Sequence, residues 1–243
     1  FSLRKWSAWA MTTQSLFAAP LHRRWVLAGL AGSLPVAPRG LAQPGASPVP
    51  LTVRAKPVRR ALRPGGPDAE IWTLEADAAG VLAFRRGDHL AVTFRNELPV
   101  PAVLNWHGLD GVPEAEPLLA RPPVAPGGRD TFALPLRQAG ALFCDARLLG
   151  DRQARATGAL ALALGGDGVA ADRKEIFLIE DWRLHAGGGA AAPGSAAGDA
   201  MAILTVNGRT PEDIVARPNE RLIFHFINGC QRSVIALKID NRE

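Results

Sequence analysis

The sequence has 243 residues, 47% of them apolar, which is enough for one large or two ordinary domains with buried cores. This length and composition exclude a disordered tail and a small disulfide-linked scaffold. The formal net charge of +5 arises in residues 1–42, which hold five basic residues and no acid. The rest of the chain has 23 basic and 23 acidic residues. It therefore lacks the positive field that binding to nucleic acid or to an anionic membrane would require.

Residues 1–42 are predicted to be upstream residues, ending before Met11, followed by an export signal. Arg23 and Arg24 precede an apolar run, Trp25 to Ala37, that is too short to span a bilayer. The paired arginines resemble the twin-arginine export signal, and an ordinary secretory signal with two adjacent basic residues is the alternative. Both interpretations predict a periplasmic or otherwise exported protein without stable membrane insertion.

Short strand-like segments separated by Gly and Pro follow a Pro/Gly/Ser-rich spacer. In RRGDHLAVTFRNELP, Leu90, Val92 and Phe94 share one face and Asn96 closes the strand, which predicts a half-buried antiparallel strand. The other segments are PLTVRAKPVRRAL, EIWTLEA, AVLNWHGL, APGGRDTFALPL, GALFCDARLLG, ATGALALALGG, KEIFLIEDWRL, MAILTVNGR, NERLIFHFINGC and SVIALKID. Because no segment has a persuasive helical period, the sequence predicts an all-β sandwich or barrel.

A loop-like stretch, GGDGVAAD at residues 165–172, marks the predicted boundary between two units, residues 51–166 and 173–243. The second unit has too few strands for a complete sandwich, so we expect it to be truncated. The low-complexity stretch HAGGGAAAPGSAAGDA, residues 185–200, is expected to be a flexible surface loop that packs no core.

The order of these segments resembles the multicopper oxidases, which are built from cupredoxin-like Greek-key β-sandwich domains. The matching stretches are GDHLAVTFRNELP, LNWHGLDG, APGGRDTFALPL and AGALFCDARLLG in the first unit, and TVNGR and ERLIFHFINGC in the second. The resemblance covers residues 51–243 and implies one complete cupredoxin-like domain and a second, truncated one. For the complete protein it implies copper as cofactor, an unidentified small-molecule or protein electron donor, and reduction of dioxygen to water.

Two His-x-His pairs from neighbouring strands supply imidazoles to the copper cluster of this family. Residues two apart on a strand project to the same side, so each pair aims two ring nitrogens at one point. In this sequence the first pair corresponds to Asn105-Trp106-His107 and the second to Asp145-Ala146-Arg147. The resemblance therefore implies His107 as the one metal ligand that is left in the first unit.

The residues at the other three positions are poor copper donors. Asn105 offers at most a weak amide oxygen, and Asp145 a carboxylate that suits harder ions. Arg147 is always charged and has no lone pair to give. We expect Arg147 to pair with Asp145 or another nearby acid, which would leave His107 as a hydrogen-bonded structural histidine.

The remaining histidines and the cysteines do not add a metal site. His89, His185 and His225 have no spacing that suggests a ligand pair, so we expect surface or hydrogen-bonded structural histidines. A blue-copper centre needs a cysteine followed shortly by His and Met, and neither Cys144 nor Cys230 is. Both are expected to be buried, unpaired thiols. In the family that centre comes mostly from a third domain, which this sequence does not include.

Two hypotheses for function remain open. The first is the N-terminal part of an exported multicopper oxidase-like enzyme, and we do not expect this segment alone to be active. The second is a copper-free, non-catalytic cupredoxin-like module with a binding or structural role, which the substitutions at positions 105, 145 and 147 favour. A copper carrier would need clustered Met or His, and the sequence has no such cluster.

Overall fold

The computed structural model describes residues 9–10, 48–77, 82–118, 120–149, 157–165, 168–192, 195–196, 198–231 and 233–237. Apart from residues 9–10, the predicted leader lies outside the described residues, so its assignment stays a prediction. The described residues form fourteen β-strands and a single 3₁₀ helix, Pro113–Ala115. None of them forms a helix that is long and apolar enough to cross a membrane. The prediction of an all-β fold is confirmed.

The strands are β1 (Trp9–Ala10), β2 (Val49–Arg60), β3 (Ala69–Ala76), β4 (Ala83–Arg85), β5 (His89–Asn96), β6 (Ala102–His107), β7 (Arg129–Pro135), β8 (Gly140–Leu148), β9 (Thr157–Gly158), β10 (Leu160–Gly165), β11 (Arg173–Leu184), β12 (Met201–Val206), β13 (Leu222–Asn228) and β14 (Ile235–Ala236). Every strand-like segment of the sequence from residue 50 onward contains at least part of one of them.

Two sheets enclose the main core of the first unit. One has five strands in the order β7-β5-β2-β3-β9, and the other has four in the order β4-β10-β8-β6. Apolar side chains from both sheets meet between them, including the fully buried Leu90 and Phe94 on one side and Leu104, Leu142 and Leu162 on the other. The first unit is therefore a β-sandwich, and β6 lies at the edge of its four-stranded sheet.

Strand β5 shows how the alternating pattern produces this core. Leu90, Val92 and Phe94 are completely buried, as predicted from their shared face. Asn96 ends the strand because its Nδ2 donates to two backbone carbonyls at 2.8 Å and its Oδ1 accepts the Leu98 amide. The prediction of an antiparallel strand is confirmed for the pairing of β5 with β7 and is wrong for its pairing with β2, which is parallel.

The second unit contributes a three-stranded sheet in the order β12-β11-β13. It packs on the first unit through two apolar clusters. In one, Ile176, Leu178 and Ile227 contact Ala163. In the other, Trp182 and Leu184 contact residues of the loop after β2 and of β3. The boundary between residues 51–166 and 173–243 stays a prediction.

The low-complexity stretch, residues 185–200, differs from expectation in its described part. Ala191 is buried, and Ala190 packs against an apolar cluster. Gly188 has a φ of +87°, and a Cβ there would lie 2.6 Å from the Asp68 carbonyl oxygen. The expectation that this stretch packs no core is wrong, because small side chains let its backbone approach the first unit closely.

Candidate functional site

The two stretches that match the family's ligand pairs are neighbours in the four-stranded sheet. Strands β6 and β8 pair antiparallel, with Asn105 opposite Asp145 and His107 opposite Phe143. The central residue of the first pair, Trp106, points the other way and is buried in the core. The structure therefore brings all four predicted ligand positions together, as the spacing implied. We refer to Asn105, His107, Asp145 and Arg147 as the polar cluster.

One ring nitrogen of His107 is close to two other members of the polar cluster. Its Nε2 lies 2.8 Å from Nδ2 of Asn105 and 3.4 Å from Oδ1 of Asp145. The Asn105 amide donates to Nε2 only when that nitrogen is unprotonated, whereas Asp145 accepts from it only when it is protonated. The shorter of the two contacts is the one to Asn105. The ring also stacks on Phe143, with 4.2 Å between the ring centroids and 6° between the planes.

The other half of the polar cluster is an ion pair. The guanidinium of Arg147 lies 3.2 Å from Oδ2 of Asp145, while the Arg147 side chain is 54% exposed. The expectation that Arg147 pairs with Asp145 is confirmed. Because the arginine is largely in solvent, water and salt screen this pair.

The donor chemistry of the polar cluster does not fit copper. Copper sites use several neutral nitrogen or thiolate donors, and the cluster holds a single imidazole. The Asn105 amide already occupies the side of Nε2 of His107 at 2.8 Å, and the Arg147 cation lies beside the only carboxylate of the cluster. Within the described ranges, no group of three or more His, Cys, Asp or Glu side chains is placed to hold a metal ion. A ligand role for His107 stays a prediction.

The other histidines lie apart from the polar cluster. His89 is exposed at the start of β5. His185 pairs with Asp199, with 2.7 Å between Nδ1 and Oδ1, and this hydrogen bond lowers the pKa of the exposed Asp199 carboxyl. His225 is half-buried on β13, and its Nε2 is buried without a hydrogen-bond partner among the described residues. The positions of His89 and His185 agree with surface roles, whereas the expectation of a hydrogen-bonded histidine is wrong for Nε2 of His225.

Both cysteines are unpaired, as predicted. Cys144 is completely buried in the core, whereas Cys230 is only half-buried, so the expectation of two buried thiols holds for the first alone. Burial raises the pKa of Cys144 well above its ordinary value, and it raises that of Cys230 to about 12 with help from Asp181 and Glu180. Neither thiol forms a reactive thiolate near neutral pH.

A buried arginine, Arg121, lies beside β6. The sequence does not indicate its burial, because it follows a Pro-rich stretch that is typical of a surface loop. The Arg121 guanidinium donates to Oδ2 of Asp130 at 3.1 Å and to the Leu104 carbonyl at 2.9 Å. It also lies over the ring of Phe132, 3.8 Å from the centroid. Arg121 thus fixes the edge of the sheet that carries His107.

A buried carboxylate lies between the two units. Glu180 on β11 is 6% exposed, and its Oε1 accepts the Ala159 amide at 2.8 Å. Burial raises the pKa of Glu180 to about 7, and its hydrogen bond and the nearby Arg60 oppose this shift. The signal for it was present in the sequence, because Glu180 alternates with Leu178 and Trp182 on the apolar face of its strand.

Comparison with known proteins supports the resemblance. Residues 59–163 match the family model described as multicopper oxidase, and no curated protein matches the chain. Lac15 from a marine microbial metagenome is 24% identical, with a TM-score of 0.56 over 76% of this chain and 48% of that one. A multi-copper oxidase from Pseudomonas thermotolerans is 22% identical, with a TM-score of 0.51 over 68% and 42%. A Cu-containing nitrite reductase from Thermus scotoductus is 18% identical, with a TM-score of 0.54 over 76% and 44%.

The chain spans about half the length of these solved structures. At these identities the likeness concerns the fold, which the nitrite reductase shares with the oxidases. The described chain has the cupredoxin-like all-β fold of these structures, and its residues 59–163 are similar to the multicopper oxidase family model.

Proposed function

We propose that the first unit, residues 51–166, is a copper-free module with a structural or binding role in an exported protein. The contact between Nδ2 of Asn105 and Nε2 of His107 at 2.8 Å carries this proposal. A copper ion at this place would have to displace the Asn105 amide from the single imidazole. It would also have to overcome repulsion from Arg147, which is held at Asp145.

Copper titration of the 243-residue chain tests this proposal. The matched variant is the triple substitution Asn105→His/Asp145→His/Arg147→His, which restores four imidazoles on the same two strands. After copper loading and dialysis, we expect the original chain to lose its copper and the triple variant to retain it, with nitrogen couplings in its electron paramagnetic resonance spectrum.

The original chain decides the outcome even if the triple variant folds poorly. Retention of stoichiometric copper by the original chain, with loss of that copper on His107→Ala, would contradict the proposal. Loss of copper from both the original chain and His107→Ala supports it.

The match of residues 59–163 to the multicopper oxidase family model favours a second candidate function for the complete protein. In this candidate the complete protein is an oxidoreductase that passes electrons from a small-molecule or protein donor to dioxygen. Its copper ligands would lie outside the polar cluster. The test is metal analysis and a visible spectrum of the complete gene product after copper loading. A blue, copper-containing product that consumes dioxygen with an oxidisable phenol supports this candidate, and a colourless, copper-free product contradicts it.

The export part of the proposal rests on Arg23 and Arg24 before the apolar run. Its test is the double substitution Arg23→Lys/Arg24→Lys, followed by fractionation of the expressing cells. Retention in the cytoplasm supports a twin-arginine signal. Export that continues after the substitution supports an ordinary secretory signal, and cytoplasmic location of the original chain contradicts export.

A further inference from the structure

A cavity of about 360 Å³ lies between the two units. Strands β3 and β10 form one wall, and β11 with the turn after β12 forms the other. Its volume is at the lower end of the range of small-molecule sites, roughly 300 to 1,000 Å³. The polar cluster does not line it, so the cavity is separate from the family's ligand positions.

Most of the cavity wall is apolar. The aliphatic side chains that line it include Leu74, Leu82, Leu160, Ile176 and Leu178. The indole of Trp182 adds an aromatic surface. These walls suit the hydrocarbon part of a small ligand.

The Glu180 carboxyl is the acidic group of the cavity wall. Its Oε1 accepts the Ala159 amide, whereas no described residue is found to donate to its Oε2, which is not one of the fully buried unpartnered atoms. Trp182 Nε1 already donates to Thr205 at 3.0 Å. Both side-chain atoms of Asn207 are bound to the backbone of β11. A ligand that enters the cavity therefore meets a carboxylate oxygen that lacks a donor.

We infer that this cavity binds a small apolar amine, whose ammonium group pairs with Glu180 and whose hydrocarbon part packs on Trp182 and the aliphatic wall. A buried carboxylate is costly unless a cation and a hydrogen-bond donor compensate it, and an ammonium supplies both. The face of an indole ring also attracts cations. A neutral alcohol would satisfy the hydrogen bond alone.

The charges around Glu180 are compatible with a cationic ligand. Arg60 lines the cavity, but its guanidinium is held by Glu75 at 3.2 Å, which offsets its charge. Asp181 on the same strand adds a negative charge, and the Cys230 thiol stays neutral. Because burial raises the pKa of Glu180 to about 7, the carboxylate form becomes dominant as pH rises from 6 to 8. An ammonium ligand should bind more tightly over this interval.

The experiment is titration of the 243-residue chain with benzylamine at pH 8 by calorimetry and by NMR shifts of the Trp182 indole. Glu180→Gln keeps the size of the side chain and its hydrogen bond from Ala159 while removing the charge. Glu175→Gln is the matched control, because Glu175 lies on the opposite face of the same strand and pairs with Arg173. We expect Glu180→Gln to weaken binding about tenfold or more and Glu175→Gln to leave it unchanged.

Two further arms locate the ligand in the cavity. Benzyl alcohol should bind the original chain more weakly than benzylamine does. At pH 6, benzyl alcohol should bind Glu180→Gln and the original chain with equal affinity. Ala161→Leu fills part of the cavity and should abolish benzylamine binding. Equal affinity of Glu180→Gln and the original chain for benzylamine, unchanged binding by Ala161→Leu, or no binding at millimolar amine would each overturn the inference.

Discussion

Two arginine–carboxylate pairs of the first unit have nearly the same length and very different surroundings. Arg121 lies 3.1 Å from Asp130, and its side chain is 5% exposed. Arg147 lies 3.2 Å from Asp145, and its side chain is 54% exposed. Distance alone would rank the two pairs as equal.

The other contacts of each arginine separate the two pairs. Arg121 also donates to the carbonyls of Leu104 and Glu114 and lies over the Phe132 ring, so removing it would leave several buried acceptors without a donor. Arg147 has one ion pair, at a surface where salt screens it. The comparison shows that the ion pair that stabilises the first unit most, Arg121 with Asp130, lies outside the segments that match the family's ligand pairs. The segment that matches the second ligand pair holds a weak surface ion pair instead.

The largest predicted effect comes from breaking the buried pair. Arg121→Met should lower the free energy of unfolding by about 3 to 5 kcal/mol, because it leaves Asp130 and two backbone carbonyls uncompensated. Urea denaturation of the 243-residue chain measures this loss. The double variant Arg121→Met/Asp130→Asn should recover part of it. A loss below about 1 kcal/mol would mean that the buried arginine is no more important than a surface one.

The second prediction concerns Glu180, a buried carboxylate with no ion-pair partner among the described residues. Its pKa is raised from 4.5 to about 7 in the folded chain, so the folded state holds a proton that the unfolded state releases between these values. Stability is therefore lost as pH rises from 4.5 to 7, and the full penalty remains above pH 7. The free energy of unfolding of Glu180→Gln, relative to that of the original chain, should therefore increase by about 2 to 3 kcal/mol as pH rises from 5 to 8.

Denaturation of both proteins across this pH interval measures the gain without added amine. Glu175→Gln is the control, since its half-exposed carboxyl pairs with Arg173 on the other face of β11. We expect the difference in the free energy of unfolding between this control and the original chain to change little with pH. If the difference in the free energy of unfolding between Glu180→Gln and the original chain is constant from pH 5 to pH 8, Glu180 does not change its protonation state in the folded chain over this interval.

The sequence predicts the strands of the sandwich well, because alternation places Leu90, Val92 and Phe94 in one core. It predicts the place of the polar cluster for the same reason, since Asn105, His107 and Asp145 share a face once their strands pair. Strand β4 escapes prediction because three residues are too few to show a period.

The environment of a charged residue is much harder to predict from the sequence. Arg121 follows a loop and has no periodic pattern, so only the fold shows that β6, β7 and the 3₁₀ helix meet around it. Glu180 does interrupt an apolar face, but alternation cannot show whether the opposing layer offers it a partner. The sequence did not predict the packing of residues 185–192. Their Gly- and Ala-rich composition lacks the large apolar side chains that indicate a core, but small side chains are what allow close backbone contact.

The smallest predicted effect is at the surface pair, and it completes the comparison. Arg147→Met should change the free energy of unfolding by at most about 1 kcal/mol, and added salt should reduce even this difference. Denaturation in low and high salt, with Asp145→Asn and the double variant, gives the coupling energy of the pair. If that coupling is as large as the one between Arg121 and Asp130, then the polar cluster stabilises the sheet edge in place of a metal. A small coupling means instead that solvent already compensates these charges, and that the packing of the strands beneath the polar cluster, not this ion pair, stabilises the sheet edge.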